Sequence, residues 1–214
     1  MYIKYGKRII DFVLALIGLI VLSPMYLILA IIIKLDSPGP VLFRQIRMKK
    51  GKEIFCMVKF RTLYIDAPEE TPTHLLKNPD AYISRVGKFL RKFSLDETVQ
   101  LFHIAGGSMS IIGPRPALWN QYDLIAERDK YGANDVKPGL TGWAQINGRD
   151  ELPIEVKARL DGEYVERMSF WFDAKCFFGT IVSVLKRDGV FEGGNSAMAN
   201  NLESAVTHRE TIVK

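Results

Sequence analysis

Two adjacent acids at the start of a predicted helix are the residues whose types and spacing most suggest chemistry. Asp96 and Glu97 lie in the run SLDE, and an apolar helical pattern continues from it to Gly106-Gly107. Ser94 and Glu97 have the spacing of a capping box, which would make both acids ordinary first-turn residues. The same helix start could bind phosphate and hold Asp96 ionised, as a carboxylate nucleophile or a magnesium ligand requires. The local sequence leaves both interpretations open.

A dense group of cations precedes these acids along the chain. Residues 44–61 contain seven cations and one acid, Glu53. Such a group suits lipid headgroups, a nucleotide diphosphate or both, and the alternative is a merely solvated or membrane-facing basic hairpin. Lys59 and Arg61 lie in the more apolar run FCMVKFRTL, so they are the better ligand candidates. The seven cations are Arg44, Arg47, Lys49, Lys50, Lys52, Lys59 and Arg61.

The run GPRP places an arginine between two prolines. Proline restricts the backbone, so Arg115 is held on a stiff turn, and its planar, permanently charged fork suits phosphate oxygens. A structural proline turn with an incidental arginine is the alternative.

The elements that must position these residues predict an α+β fold that is rich in helices. Two β-compatible runs flank the basic turn at 49–52 and predict a hairpin. Helical periodicity appears over 83–90, 154–168 and 170–186, and SMSIIGPRP predicts a short extended piece that ends in a turn. The last helix is rich in large apolar residues, which either pack in the core or seat the domain in the headgroup region.

Composition narrows the class of protein. A chain of 214 residues suits one domain with an appendage. The cysteines and histidines show no ligand spacing, so neither a zinc site nor a disulfide framework is expected. A net charge of +5 indicates an anionic partner. Nucleic acid is not the expected partner, because the cations adjoin a membrane segment and no recognition module is present.

The segment from Ile9 to Ile33 predicts a membrane helix. Its only charge is Asp11, and as a helix it would extend ~37 Å, enough to cross a bilayer. Ser23-Pro24 near its middle predicts a break. Cations flank both ends, which favours a re-entrant helix with both ends at the cytoplasmic face. A kinked single span and a buried helix of a soluble protein are the alternatives.

Taken together, these motifs make the chain resemble the bacterial sugar transferase family, the monotopic polyprenyl-phosphate phosphoglycosyl transferases, in its minimal form. The segments that carry the resemblance extend over most of residues 4–190. They are KRIIDF, the Ser23-Pro24 pair, DSPGPVLFRQIR, KFRT, LRKFSLDE, GPRP and GLTGWAQINGR.

The resemblance implies a mechanism and a set of site residues. Asp96 would attack the sugar-bearing phosphate of a UDP-sugar and release UMP, and polyprenyl phosphate would then collect the phosphosugar. Mg2+ would be required and held at Asp96, with Glu97 as a general base or a further metal ligand. The resemblance assigns substrate binding to Lys59, Arg61, Arg91, Arg115, Arg149, Asp161 and Asp173.

The resemblance also implies an organisation and a location. Residues 1–36 would form the re-entrant membrane helix, residues 37–190 a catalytic domain that rests on the membrane by amphipathic helices, and residues 191–214 a polar tail. The chain would lie in the bacterial inner membrane with its catalytic domain facing the cytoplasm. Expected partners are the UDP-sugar, polyprenyl phosphate, the lipid bilayer, downstream glycosyltransferases of glycoconjugate assembly, and a second copy in a homodimer.

The match to the family pattern departs at a few positions. Val99 stands where members commonly have proline, and HIAGGSMS replaces a run that ends in Lys-Gly-Asp-Met-Ser, so His103, Gly106 and Ser108 differ. The acid pair is retained. Loss of the acid at Ser108 would either loosen the GPRP turn or alter sugar choice. A catalytically idle membrane scaffold of the same fold is therefore the alternative function.

Overall fold

The computed structural model describes residues 2–67, 79–148 and 152–186. Arg149, residues 68–78 and the predicted tail at 191–214 lie outside these ranges. A π-helical turn (Tyr2–Gly6) precedes the first α-helix. The remaining elements, in chain order, are α1 (Lys7–Asp36), β1 (Leu42–Met48), β2 (Ile54–Phe60), α2 (Pro79–Tyr82), α3 (Arg85–Lys92), a 3-10 helix (Leu95–Gln100), α4 (Leu101–Gly106), β3 (Ser110–Ile112), α5 (Tyr122–Asp129), β4 (Gly139–Thr141), α6 (Trp143–Ile146), α7 (Ile154–Arg167) and α8 (Phe170–Lys186). The helix-rich α+β fold predicted from the sequence is confirmed.

Helix α1 is continuous through Pro24, where the sequence predicts a break. Proline has no N–H, so the carbonyl of Ile20 loses its usual donor. The Ser23 hydroxyl donates to that carbonyl at 2.8 Å. This local replacement keeps the segment helical across the predicted break. The re-entrant path through a bilayer stays a prediction.

The surface of α1 is strongly apolar and mostly uncovered. Together with the preceding turn it forms a 35-residue helical stretch that is long and apolar enough to cross a membrane. Val21 is 69% exposed and Leu35 81% exposed. Side chains of this kind need an apolar surrounding that the described residues do not supply, so α1 is suited to lipid.

The first half of α1 is tied to the domain by polar side chains. Arg8 donates to the carbonyls of Ile104 and Ala105 at 2.5 and 2.7 Å, and a cation at the end of α4 complements the negative end of that helix. The buried Asp11 accepts a hydrogen bond from the Ser110 hydroxyl at 2.7 Å. The charged residues of the KRIIDF motif therefore orient the helix on the domain.

The second half of α1 packs on the same domain. The Tyr26 hydroxyl donates to the carbonyl of Thr98 at 3.0 Å. Leu29 and Ile33 are buried and share a core cluster with residues of β2, α3 and the 3-10 helix. Both halves of α1 thus contact the elements that follow it.

Two hydrophobic clusters form the core. Full burial of a side chain such as leucine contributes about 1.5–3 kcal/mol. The larger cluster comprises Ala15, Ile104, Met109, Ile111, Ile112, Tyr164, Phe172 and Cys176. The smaller comprises Leu29, Ile33, Phe60, Leu90 and Val99. Because α1 supplies residues to both, it is part of the core as well as a membrane segment.

The predicted hairpin is confirmed. Strands β1 and β2 pair antiparallel, from Leu42 opposite Phe60 to Met48 opposite Ile54. The basic turn at 50–52 needs two residues with positive φ, Gly51 at 72° and Lys52 at 62°. Glycine tolerates this conformation freely, which accounts for the reversal within the lysine-rich run.

The short strands β3 and β4 bring GPRP against the run KPGLTG. They pair in parallel, Ser110 opposite Gly139 and Ile112 opposite Thr141. The backbones of the two runs are in direct contact, because a Cβ added to Gly142 would lie 2.1 Å from the carbonyl oxygen of Gly113. Only glycine permits that approach, so the two runs form one tightly packed unit.

The predicted C-terminal helices are confirmed as α7 and α8, and the predicted core packing of α8 is confirmed, while its seat in the headgroup region stays a prediction. Phe172 and Cys176 are buried in the larger core cluster. Trp171 is 79% exposed and Phe178 64% exposed on the same helix. Packing in the core accounts for Phe172 and Cys176, whereas the exposed Trp171 and Phe178 suit a headgroup region.

Candidate functional site

The acid pair lies on a 3-10 helix, not on the first turn of an α-helix. Ser94, which precedes it, has the left-handed conformation φ 54° and ψ 26° and makes no capping hydrogen bond with its side chain. The capping box considered from the sequence is therefore absent, and α4 begins only at Leu101. A left-handed residue other than glycine costs roughly 1–3 kcal/mol and is characteristic of functional sites.

Glu97 is held by a two-pronged contact with Arg115 of the GPRP turn. Nη2 of Arg115 lies 2.6 Å from one carboxylate oxygen and Nη1 3.1 Å from the other. Burial alone would raise the pKa of Glu97, but the charge and hydrogen bonds of Arg115 outweigh it and lower that pKa to about 2. Glu97 is consequently a fixed anion at neutral pH.

The surroundings of Asp96 shift its pKa in the direction opposite to that of Glu97. Its side chain is 6% exposed. Burial, followed by the adjacent charge of Glu97, raises the pKa of Asp96 above its ordinary value, although the cations Lys59, Arg91 and Arg115 oppose this. A carboxylate with a raised pKa is the more basic and more nucleophilic member of the pair when ionised. The two acids therefore have separate electrostatic characters, which is how environments assign separate roles.

Lys59 of β2 faces the acid pair. Burial lowers the pKa of its ammonium group to about 8, while the charge of Asp96 works in the other direction. Arg91 of α3 also acts on Asp96, and its Nε donates to the Thr62 hydroxyl at 2.9 Å. The structure thus brings the predicted residues Lys59, Arg91 and Arg115 together around the acids.

Arg47 and Gln45 complete this face of the hairpin, although neither is among the site residues predicted from the sequence. Arg47 lowers the pKa of Glu97, and its Nη2 donates to the Gln45 side-chain oxygen at 2.7 Å. The alternation of side chains along β1 could have identified both residues from the sequence. Phe43 pairs with Lys59, so residues two and four positions further along β1 lie on the same face as Lys59.

The site carries a net positive charge. Four cations surround two carboxylates, which leaves two positive charges in excess. A dianionic diphosphate would balance that excess, whereas a neutral ligand would leave the cations to repel one another. The cations are Arg47, Lys59, Arg91 and Arg115.

The other predicted site residues are placed differently. The buried Arg61 donates to the carbonyls of Ser37 and Pro38 at 2.8 and 2.5 Å, so its guanidinium holds the turn that follows α1. Asp173 accepts a hydrogen bond from Lys7 at 2.6 Å and so fixes the start of α1.

Asp161 is also held within the fold. It is buried on α7 and forms an ion pair with Arg128 at 2.6 Å. Arg149 lies outside the described residues. The substrate contacts predicted for Arg61, Asp161, Asp173 and Arg149 stay predictions.

Three of the four positions that depart from the family pattern make side-chain contacts. Nε2 of His103 accepts the N–H of Val58 at 3.0 Å, so this ring is neutral there, and burial lowers its pKa. The Ser108 hydroxyl donates to the carbonyl of His103 at 3.1 Å and closes the end of α4. Val99 is buried in the smaller core cluster. The contact between Glu97 and Arg115 is intact alongside all three changes.

Comparison with known proteins identifies this arrangement of motifs. The family model described as bacterial sugar transferase matches residues 2–187. The chain belongs to the bacterial sugar transferase family. It is 40% identical over 191 residues to a UDP-glucose:undecaprenyl-phosphate glucose-1-phosphate transferase of Xanthomonas campestris pv. campestris, which covers 86% of this chain and 40% of the relative.

Two further relatives show the range of named sugars. A UDP-N-acetylgalactosamine-undecaprenyl-phosphate N-acetylgalactosaminephosphotransferase of Aeromonas hydrophila is 36% identical over 185 residues, or 84% of this chain and 43% of the relative. A UDP-glucose:undecaprenyl-phosphate glucose-1-phosphate transferase of Caulobacter vibrioides is 36% identical over 194 residues, or 86% of this chain and 72% of the relative. The chain spans less than half the length of the Xanthomonas and Aeromonas proteins.

Only two side chains of the candidate site, the carboxylates of Asp96 and Glu97, are of a type that binds a magnesium ion. Among the described residues, no group of three or more His, Cys, Asp and Glu side chains could hold a metal ion. Mg2+ is commonly held by one or two carboxylates together with substrate phosphates and water. Asp96 and Glu97 meet that requirement only when a phosphorylated ligand supplies the remaining oxygens.

Proposed function

We propose that this chain transfers a phosphosugar from a UDP-sugar to polyprenyl phosphate, such as undecaprenyl phosphate. The observation that carries the proposal is the position of Asp96: a buried, cation-surrounded carboxylate on a 3-10 helix that packs directly on α1. Thr98, two residues beyond Asp96, accepts a hydrogen bond from Tyr26 of α1. In the proposed reaction a water-soluble anionic donor and a membrane-bound acceptor would both meet at this carboxylate.

In the first step, the Asp96 carboxylate attacks the sugar-bearing phosphorus of the donor. A P–O bond forms to Asp96, and the bond from that phosphorus to the bridging oxygen breaks, so UMP leaves with the electron pair. Lys59, Arg91 and Arg115 would bind the diphosphate and balance the charge that develops on the leaving group. The raised pKa of Asp96 suits the nucleophile.

In the second step, a phosphate oxygen of polyprenyl phosphate attacks the same phosphorus. The bond to Asp96 breaks, which restores the carboxylate and yields polyprenyl-diphosphate-sugar. A phosphate monoester has a charged oxygen at neutral pH, so little base assistance is needed. Glu97, with a pKa of about 2, takes up protons poorly near neutral pH, which favours a role in holding charge and geometry over a role as general base.

Mg2+ is the proposed cofactor, with Asp96 and then Glu97 as its protein ligands. When bound, it would neutralise phosphate charge and favour departure of UMP. The residues of the chain supply the remaining functions: the cations orient the diphosphate, and the Glu97–Arg115 contact fixes both of its members beside Asp96.

The test is release of UMP from a panel of UDP-sugars in the presence of undecaprenyl phosphate and Mg2+. The glucose and N-acetylgalactosamine donors named for the relatives are the first candidates. We expect Asp96→Asn to lower kcat by at least about a thousandfold, because the amide is not a nucleophile, and to abolish the phosphosugar adduct that mass spectrometry detects on the wild-type chain. Unchanged activity in Asp96→Asn would refute the mechanism.

A matched control is Asp123→Asn, which changes an exposed acid on α5. This variant should retain wild-type activity. Absence of UMP release with every donor tested would favour the alternative of a catalytically idle membrane scaffold.

The proposed location follows from α1 and the flanking cations. The chain would lie in the bacterial inner membrane, re-entrant through α1, with the catalytic domain on the cytoplasmic side where nucleotide sugars occur. Enzymes that consume a polyprenyl-diphosphate-sugar, namely glycosyltransferases that extend a lipid-linked glycan, are the proposed downstream partners. A homodimer remains part of the proposal.

A further inference from the structure

The carbonyl groups of the GPRP turn are held from outside the turn. Prolines 114 and 116 have no N–H groups, so the turn cannot stabilise itself through a regular backbone ladder. Each carbonyl from residue 114 to 117 instead accepts a hydrogen bond from another element. The donors, in order, are Gly139 N at 2.8 Å, Arg128 Nη1 at 2.9 Å, Arg47 Nη1 at 2.8 Å and Met48 N at 2.9 Å.

Arg128 is the donor to the carbonyl of Arg115 itself. Its side chain on α5 is 4% exposed and is held by Asp161 of α7, whose side chain is 2% exposed. Nε of Arg128 lies 2.8 Å and Nη2 2.6 Å from one oxygen of Asp161. The guanidinium therefore has two contacts to Asp161 and a third, through Nη1, to Arg115.

We infer that Arg128, oriented by Asp161, is a positioning residue for Arg115. The contacts run from Asp161 to Arg128, to the Arg115 backbone, and through the Arg115 side chain to Glu97. Arg128 and Asp161 would act without touching the donor, so Asp161 would influence catalysis through Arg115 and not as a direct substrate ligand. This inference rests on the proposed function for its catalytic consequence.

A purely structural ion pair between α5 and α7 accounts less well for these contacts. A buried ion pair is a weak source of net stability, because desolvation of both charges offsets their attraction. A hydrophobic pair could join the two helices equally well. A need to join the two helices, whether by an ion pair or by a hydrophobic pair, does not explain why Nη1 of Arg128 donates to the backbone carbonyl of Arg115.

The first test is Arg128→Lys, which keeps the positive charge beside Asp161 but cannot make all three hydrogen bonds. We expect kcat/KM for the UDP-sugar to fall by about tenfold to a hundredfold, since small displacements of a positioning group have effects of that size. In an Arg115→Lys background, the same change should cost less than about twofold, because the group that Arg128 positions has already been altered. Wild-type kcat/KM in Arg128→Lys, or the full loss in both backgrounds, would overturn the inference.

The neighbouring Asp129→Asn is the matched control. Asp129 lies on the same helix and pairs with Lys52 at the surface, at 3.0 Å. Loss of that exposed pair should leave kcat/KM within about twofold of wild type. If Arg128→Lys folds poorly, Arg128→Gln combined with Asp161→Asn removes both buried charges together and should show the same loss and the same dependence on Arg115.

A second measurement does not require catalysis. Glu97 and Arg128 are linked through Arg115, so the effects of Glu97→Gln and Arg128→Lys on the thermal unfolding midpoint of the full chain in detergent should not add. Additive shifts would overturn the inference. A wild-type chain that releases no UMP would defeat the proposed function, yet this unfolding cycle would still decide whether Arg128 positions Arg115.

Discussion

At the scale of single residues, the two neighbouring carboxylates of the site are distinguished by the partner that each one meets. Glu97 contacts a guanidinium at both oxygens, whereas Asp96 is buried next to a charge of its own sign. The consequence is one acid, Glu97, that is ionised at neutral pH and another, Asp96, whose pKa is raised above its ordinary value. A single substitution at Arg115 would erase that distinction, because Glu97 would lose its main counter-charge.

The lowered pKa of Lys59 predicts that activity falls at high pH, which would form the alkaline limb of the pH–activity profile. Its value of about 8 means that the site loses one positive charge as the pH rises through 8. We therefore expect kcat/KM for the UDP-sugar to fall above about pH 8, since this parameter reports groups of the free enzyme. In Lys59→Arg the limb should disappear up to at least about pH 10, because a guanidinium does not titrate there.

Steady-state kinetics between pH 6 and pH 10 would check this prediction. Lys92→Arg, an exposed change on α3, provides the control and should keep the wild-type profile. An unchanged alkaline limb in Lys59→Arg would mean that another group titrates.

Residue types in the sequence selected much of the candidate site, but they could not predict the contacts that distinguish its residues. The acid pair, Lys59 and Arg115 were all selected from their motifs. The capping-box alternative failed because it considered only the nearest backbone groups, and a tertiary partner 18 residues away competes for Glu97. Arg61 has the local setting of a ligand, yet its burial against two loop carbonyls depends on how α1 ends, which sequence spacing does not reveal.

At the scale of elements, short irregular segments position the candidate site residues, and the long helices form the framework around them. The 3-10 helix carries the acids, and the β3–β4 pair holds GPRP. Periodicity predicted the hairpin, α7 and α8 well because each has a regular apolar pattern. It could not separate the 3-10 helix from α4, since each is six residues long and buries a single apolar residue, Val99 in the first and Ile104 in the second, which is too few to define a period.

The contact between Gly142 and Gly113 predicts a strong effect of one added methyl group. In Gly142→Ala the new carbon would lie 2.1 Å from the Gly113 carbonyl oxygen, so β4 and GPRP must separate. We expect a loss of about 1–3 kcal/mol in the free energy of unfolding, and reduced UMP release because Arg115 moves from Glu97. Denaturant unfolding and the UMP assay measure the two effects.

Gly106→Ala is the matched control for this prediction. A Cβ at Gly106 would meet no atom within 4 Å, and the residue lies in α4. Alanine there should leave stability unchanged or raise it by up to about 1 kcal/mol. Equal effects of the two substitutions would show that the close backbone approach is not what Gly142 provides.

At the scale of the whole molecule, the contacts along α1 bear on its path through the membrane. Arg8 near one end and Ile33 near the other both pack on the same domain. A straight span would carry one end to the opposite side of the bilayer, away from that domain. We therefore expect the two ends of α1 to remain on one side of the bilayer.

Cysteine labelling tests this path directly. In a chain with Cys56→Ser and Cys176→Ala, reporters introduced as Tyr5→Cys and Lys50→Cys lie before and after α1, at exposed positions. We expect a membrane-impermeant maleimide added to spheroplasts to label neither reporter, and to label both once the membrane is opened. Labelling of Tyr5→Cys alone in sealed spheroplasts would establish a single span.

The contribution of α1 to both core clusters has a consequence for biosynthesis. Ala15, Leu29 and Ile33 leave the ribosome before the residues of β2, α4 and α8 that pack on them. Lipid can cover these side chains until their packing partners are synthesised. This avoids the exposure to water that makes nascent apolar segments aggregate. The catalytic part would then complete its folding at the bilayer surface, with the inserted helix as its template.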